Sequence, residues 1–159
     1  MVVTTIRSWF SALIVWKLVD GVLYVLLQDA LPHFGQQRKQ TKFPGGGSED
    51  HPEDRNFFAT GKREFQEETH LRFKEGEPDL PAVYSQIKGD CHQQLFYLVP
   101  LDSLEGELRT EVIFDNNSTL FPPYWVRVDE MGSVCLHENH EPAWQEAKKK
   151  LQPQPSLVR

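Results

Sequence analysis

Two apolar segments on either side of Asp20-Gly21 constrain the fold of this chain more than any other feature. Residues 11–19 are rich in Leu, Ile, Val and Trp, a composition that indicates a buried strand, and residues 21–28 resemble them. Asp-Gly between two such segments is a strong signal for a tight hairpin turn. The core is therefore expected to form around a β-sheet that contains this hairpin.

The rest of the chain alternates short strand patterns with two helical ones. Strands are predicted over 41–43, 82–87, 94–101 and 124–128, and helices over 52–69 and 142–151. Residues 29–40 read as a loop, and 102–117 form a polar stretch without a clear pattern. Strands that outnumber helices in this order favour an α/β (α+β) fold, in which a mixed central sheet packs between helices.

Composition and charge exclude several classes of protein. The length of 159 residues suits one domain, and a net charge of -6 disfavours an extended nucleic-acid surface, which needs a basic face. The apolar segment 9–19 is shorter than the roughly 20 residues that span a bilayer, so no membrane association is expected. Cys91 and Cys135 lie in no metal-binding spacing and are interpreted as reduced thiols of a cytoplasmic protein.

The segment from Arg63 to Glu68 carries the most specific chemical signal. Glu64, Glu67 and Glu68 stand at positions i, i+3 and i+4, where helical side chains begin about 5–6 Å apart on one face. Their mutual repulsion would destabilise a helix, and a divalent cation would reverse that effect. Carboxylates are the protein ligands that magnesium prefers, and magnesium is commonly shared with substrate phosphates. A solvated helix face is the alternative explanation of the same cluster.

A run of three glycines precedes this helix. Gly45, Gly46 and Gly47 are interpreted as a turn that lets the backbone approach a phosphate group closely at the start of the helix. Lys39 and Lys42 lie just before the run and would add positive charge. Gly46, Gly47 and Lys42 are therefore candidate substrate-binding residues.

The pattern of these residues resembles the Nudix box of the Nudix (MutT-like) hydrolases. Gly47, Glu53 and the segment from Arg63 to Leu71 match its order of glycine, glutamate, Arg-Glu-apolar-x-Glu-Glu and a final apolar residue. Nine residues separate Glu53 from Arg63 where the family has seven, and His70 replaces the glycine that ends the helix. The resemblance implies a Nudix-type α/β/α sandwich over residues 1–151, followed by a flexible tail over 152–159.

The same resemblance implies an activity and a set of roles. The chain would be a Nudix pyrophosphohydrolase that cuts a phosphoanhydride bond in a nucleoside diphosphate linked to another group, with a small nucleotide as substrate. Glu64, Glu67 and Glu68 would bind Mg²⁺ or Mn²⁺, Arg63 would orient them, and Glu53 would brace the loop. The general base would be Glu64 or a late-loop residue such as Glu107 or Glu111.

Three matters stay open at this point. The substrate is any of several candidates, among them a nucleoside triphosphate, ADP-ribose, a nucleotide sugar or a dinucleoside polyphosphate, and a homodimer is compatible with the sequence. A non-catalytic Nudix-like module that binds a nucleotide or a partner is the alternative function. Outside the box, His137 and His140 are interpreted as a solvated surface pair rather than a zinc site. Most of the strand aromatics are assigned to the core, although four aromatics are candidates for stacking on a base: Trp16, Phe34, Tyr124 and Trp125.

Overall fold

The computed structural model describes residues 8–35, 38–47, 57–74, 80–89, 92–114 and 117–151. Within these ranges the structure contains eleven strands and two α-helices. The strands are β1 Ser8–Val19, β2 Val22–Pro32, β3 Gln40–Lys42, β4 Gly45–Gly47, β5 Arg72–Phe73, β6 Tyr84–Lys88, β7 His92–Pro100, β8 Leu104–Glu105, β9 Ile113–Phe114, β10 Ser118–Leu120 and β11 Tyr124–Arg127. The helices are α1 Phe57–Thr69 and α2 Glu141–Leu151, and short 3-10 helices cover Leu101–Ser103 and Val128–Ser133.

The predicted hairpin is confirmed as the centre of the fold. β1 and β2 are antiparallel, and the turn residues Asp20 and Gly21 both have positive φ, 51° and 78°. This conformation matches the twist of the strands on either side, and it suits Asp-Gly because both residue types tolerate positive φ. The hairpin is longer than expected, since β1 begins at Ser8 and β2 continues to Pro32 through residues that were predicted to form a loop.

The sheet is mixed, as the sequence predicted. Its order is β6-β7-β1-β2-β10-β9, with β4 paired to β1 and both β3 and β11 paired to β2. β1 and β7 run parallel over the whole length of β7, whereas every other pairing in this sheet is antiparallel among the described residues. β5 and β8 form a separate small ladder.

Alternation along β1 produces the two layers of the core. Leu13 and Val15 face a cluster that includes Phe58 and Phe65 of α1, while Ala12 and Ile14 face a cluster that includes Trp144 of α2. Successive strand residues point to opposite faces, so one strand supplies both layers. The arrangement is an α/β/α sandwich, and the predicted packing of the sheet between helices is confirmed.

Two residues of α1 and its C-terminal end have local structural reasons. His70 ends the helix with a φ of 68°, the left-handed conformation that glycine usually supplies at this position. Gly61 lies within the helix where it crosses β1, and a β-carbon there would approach Ser11 Cβ to 2.8 Å. The close packing of helix against strand explains a glycine that otherwise lowers helix stability.

Candidate functional site

The three glycines form a strand rather than the predicted turn. Gly45–Gly47 pairs antiparallel with Ala12, Ser11 and Phe10 of β1, so the interpretation as a turn at the helix start is wrong. A β-carbon on Gly45 would overlap the Ser11 carbonyl and lie 2.6 Å from Ala12 Cβ. Glycine is required at this position because the backbones of β4 and β1 lie very close together. The close backbone approach that the glycines permit is therefore an approach to β1, the central strand of the sheet.

The strand of glycines lies directly beside the acidic residues of α1. A β-carbon on Gly46 would lie 2.7 Å from Glu64 Oε2, so the Glu64 carboxylate rests against this backbone. Glu68 Oε1 accepts a hydrogen bond from the Gly45 amide at 3.0 Å. The predicted neighbourhood of glycines and glutamates thus exists, although it is built by sheet and helix packing across the fold.

Arg63 connects the acidic residues to the same strand. Its Nη1 lies 2.9 Å from Glu64 Oε1 and 3.7 Å from Glu67 Oε1, and its Nη2 donates to the Gly47 carbonyl at 3.3 Å. One guanidinium therefore partly neutralises two glutamates and holds the end of β4. The role of Arg63 in orienting the glutamates stays a prediction, and the predicted brace Glu53 lies outside the described residues.

Glu67 and Glu68 occupy opposite environments one residue apart. The Glu67 side chain is 56% exposed, while Glu68 is only 6% exposed. Burial raises the pKa of Glu68 to about 7, the nearby Lys42 ammonium opposes this, and the charge of Glu64 adds to it. Among the described residues no group of three or more His, Cys, Asp or Glu side chains is gathered closely enough to hold a metal ion.

Behind Glu68 lies a buried polar network that the sequence did not reveal. With its amide oriented to satisfy both neighbours, Gln28 donates to Glu68 Oε1 at 3.1 Å and accepts from Arg109 Nη2 at 2.7 Å. Arg109 is 2% exposed and also donates to the backbone carbonyls of Glu68 and Phe121. Burial lowers the pKa of Arg109, with Glu68 and Glu111 acting in the opposite direction.

The other predicted candidates separate into those near the site and those elsewhere. Lys42 lines a cavity together with Gly47, whereas Lys39 pairs with Asp29 at 3.4 Å. Glu107 and Glu111 are exposed. Of the aromatics, Trp16 packs against the α2 cluster and Trp125 against the α1 cluster, while Phe34 is 72% exposed and Tyr124 donates to Asp29 at 2.8 Å.

The interpretation of His137 and His140 as a solvated pair is wrong for His140. His140 is 4% exposed, its ring contacts Phe96 edge-on at 4.9 Å between centroids, and its Nδ1 accepts from the Phe43 amide at 3.2 Å. Burial lowers its pKa well below the ordinary value, and Lys42 adds to this effect. The neutral ring is thus a core element, and it brings the loop before α2 against β3.

The burial of Glu68 predicts a specific dependence of stability on pH. The folded protein binds the Glu68 proton more tightly than the unfolded chain, so metal-free protein should lose stability as pH rises from about 4.5 to about 7. The loss is on the order of 3 kcal/mol. We expect urea unfolding in the presence of EDTA to show this slope, and Glu68→Gln to flatten it. Equal slopes for both proteins would contradict the assignment.

Comparison with known proteins identifies the fold. No protein-family model matches the sequence, and no curated protein sequence matches it either. The Nudix domain of Shewanella oneidensis NrtR, solved as a complex with ADP ribose, is 14% identical, with a TM-score of 0.62 over 93% of this chain and 89% of that one. A MutT Nudix hydrolase from Burkholderia pseudomallei is 16% identical, with a TM-score of 0.57 over 87% and 97%.

A third similar structure is an Ap4A hydrolase of C. elegans, 14% identical, with a TM-score of 0.57 over 90% of this chain and 96% of that one. At such identities the likeness shows the fold, and this chain has the Nudix fold. The resemblance to the Nudix (MutT-like) hydrolases that the box residues indicated is thereby confirmed at the level of structure. Among the described residues no helix is both long and apolar enough to cross a membrane.

Proposed function

We propose that this chain is a Nudix pyrophosphohydrolase that cleaves a phosphoanhydride bond in a nucleoside diphosphate linked to another group, in a reaction that depends on Mg²⁺ or Mn²⁺. One observation carries the proposal. The Glu64 carboxylate and the Glu68 carboxylate both meet β4, at Gly46 and Gly45, so acidic groups lie directly beside the glycine backbone. A polyphosphate needs this combination of cation ligands and backbone amides.

The chemistry of the glutamate oxygens suits a divalent cation, which would draw together side chains that are not gathered into a metal site in the described part of the chain. Glu68 is a buried carboxylate whose ionisation is disfavoured by burial and by the neighbouring charge of Glu64. Oxygen donors of like charge, arranged on one helical face, are the ligands that hard cations take. When bound, magnesium supplies positive charge that polarises phosphate oxygens and acidifies water. Glu64, Glu67 and Glu68 would hold it, and Arg63 would exchange part of its pairing with Glu64 and Glu67.

The remaining roles follow from position. We assign the general base to Glu64, because its carboxylate lies at the glycine strand, whereas Glu107 and Glu111 are exposed on the late loop. Water attacks phosphorus, Glu64 takes its proton, and the phosphoanhydride oxygen leaves with the second phosphate group. The amides of Gly46 and Gly47 and the ammonium of Lys42 would position the phosphates, since Lys42 lies beside Gly47.

The similar structures favour a nucleotide ligand. The NrtR Nudix domain was solved with ADP ribose, and the other two are a MutT Nudix hydrolase and an Ap4A hydrolase. We propose that residues 1–151 form the single domain that binds such a ligand. The tail over 152–159 lies outside the described residues, and the cytoplasmic location and the homodimer stay predictions.

A substrate panel tests the proposal. Purified protein is incubated with nucleoside triphosphates, ADP-ribose, a nucleotide sugar and a dinucleoside polyphosphate, with Mg²⁺, with Mn²⁺ or with EDTA. We expect phosphate-containing products from at least one compound in the presence of metal and none in EDTA. Equal product formation in EDTA would contradict the role of the glutamates.

The same panel separates the alternative of a non-catalytic module. Such a protein would bind a nucleotide with Mg²⁺, detected by calorimetry, and release no product over hours. Two observations favour this alternative: Glu68 is buried, and the spacing of the box differs from that of the family. Binding without turnover at any metal concentration would decide in its favour.

A further inference from the structure

A cavity of about 270 Å³ opens on the face of the sheet that carries α2, next to the glycine strand. Its wall includes Phe10, Lys42, Gly47, Gln94, Asn139 and His140. Small-molecule sites range from about 300 to 1,000 Å³, so this cavity suits one ring system rather than a whole nucleotide. Phe10 gives it an aromatic surface, and the amides of Gln94 and Asn139 give it polar groups.

Gln94 is the unusual residue in this wall. Gln94 is 8% exposed, and its Oε1 is buried without a hydrogen-bond partner among the described residues. Buried carbonyl oxygens nearly always have a partner, because an unpaired one loses its hydration without compensation. An acceptor of this kind beside a cavity indicates that a donor arrives with a ligand.

The cavity shares Gly47 and Lys42 with the proposed phosphate site. Gly47 lines it and also holds Arg63 through its carbonyl. Lys42 lines it as well, and the Lys42 charge acts electrostatically on both Glu68 and His140. A nucleotide whose phosphates meet Lys42 and β4 would therefore extend its nucleoside part toward Gln94.

We propose that Gln94 determines base specificity, by accepting a hydrogen bond at Oε1 from an exocyclic amino group of the nucleobase. The inference rests on the proposed function, because it names which nucleotides that site prefers. Phosphate oxygens cannot donate to Oε1, so the remaining donors of a nucleotide are the N–H groups of the base and the hydroxyls of the ribose. An amino group projects beyond its ring, and rotation of the Gln94 amide toward the cavity would bring Oε1 within its reach, which favours the base.

The test compares nucleotides that differ by one amino group. The pairs are ATP with purine riboside 5′-triphosphate, GTP with ITP, and CTP with its 4-desamino analogue; dATP reports on the ribose hydroxyl. We expect the wild-type protein to prefer the amino member of at least one pair by roughly tenfold to a hundredfold in kcat/KM, the range for an unpaired buried acceptor. Gln94→Met should reduce that ratio to about twofold or less.

Two controls separate a recognition role from a structural one. Gln93 precedes Gln94 in β7, and its side-chain amide donates to the Ser85 hydroxyl at 2.9 Å. Gln93→Met should therefore leave the ratio unchanged. Gln94→Met removes an unpaired oxygen, so its Tm should equal or exceed the wild-type value. A lower Tm with an unchanged ratio would assign Gln94 to the scaffold and overturn the inference.

The outcomes distinguish this inference from the proposed function. Turnover with equal ratios in wild type and Gln94→Met overturns the inference alone, and so does a preference that follows the 2′-hydroxyl of ATP over dATP. If no compound is turned over, the same pairs are compared by their Kd values, measured by calorimetry. The side-chain amide signal of Gln94 is also followed by NMR, and it is assigned by its absence from the spectrum of Gln94→Met. Absence of binding by all of these nucleotides overturns the inference alone, and the proposed function is overturned only if the whole substrate panel, with ADP-ribose, the nucleotide sugar and the dinucleoside polyphosphate, shows neither turnover nor binding.

Discussion

Replacing Glu67 by glutamine is expected to lower metal-dependent turnover by about 100-fold to 1,000-fold, because a ligand charge worth several kcal/mol in the transition state is lost. The fold should be unaffected. The Glu67 side chain is 56% exposed, and its ion pair with Arg63 Nη1 spans 3.7 Å, so it contributes little to stability. Turnover on the best panel substrate and thermal unfolding of the same preparation provide the measurement.

A matched control exists on the second helix. The Glu146 side chain is 44% exposed, pairs with Lys149 Nζ at 2.9 Å, and lies on α2 away from the glycine strand. Glu146→Gln makes the same chemical change with the same small effect on stability, and it should retain turnover. If Glu67→Gln kept full activity, the assignment of the metal ligands would be wrong, whatever the substrate.

Replacing Arg109 by methionine is expected to lower the free energy of unfolding by about 3–5 kcal/mol, the usual cost of removing one charged member of a buried polar network. Arg109 holds together parts of the chain that are distant in sequence. It donates to the carbonyls of Glu68 and Phe121 and to the Gln28 amide, which in turn holds Glu68. Methionine fills a similar volume but leaves these buried acceptors unpaired.

The control for this prediction is Arg72→Met. Arg72 is 69% exposed and pairs with Glu105 at 3.3 Å, so the same substitution there should change stability by less than about 0.5 kcal/mol. Urea unfolding of the two variants gives the comparison. Similar stability of Arg109→Met and Arg72→Met would show that the buried network does not support α1.

Much of the fold could be predicted because local patterns record which residues are buried. The apolar segments of β1 and β2, the tight turn at Asp20-Gly21 and the helical pattern of α1 all depend on neighbours a few positions away. The order of glutamates on α1 is of the same kind. These features can therefore be predicted from short segments of the sequence, without knowledge of the rest of the molecule.

The errors share a physical cause. The glycines were interpreted as a turn because their conformational freedom is visible in the sequence, whereas their pairing with β1 is not. His140 was interpreted as solvated because an i, i+3 histidine pair without a third ligand usually lies on the surface, yet its ring packs against Phe43 and Phe96, which are distant in the chain. Burial by residues distant in the chain leaves no local signal.

The sequence by itself determined the sheet with its hairpin, the two helices and the box of acidic residues, since each follows from periodicity or from a short motif. Only the tertiary structure decided that Gln28 and Arg109 lie behind Glu68, and that Gln94 faces a cavity beside Lys42. These contacts depend on the order of strands in the sheet. Strand order is fixed by the packing of the whole core, so its consequences appear only in the folded chain.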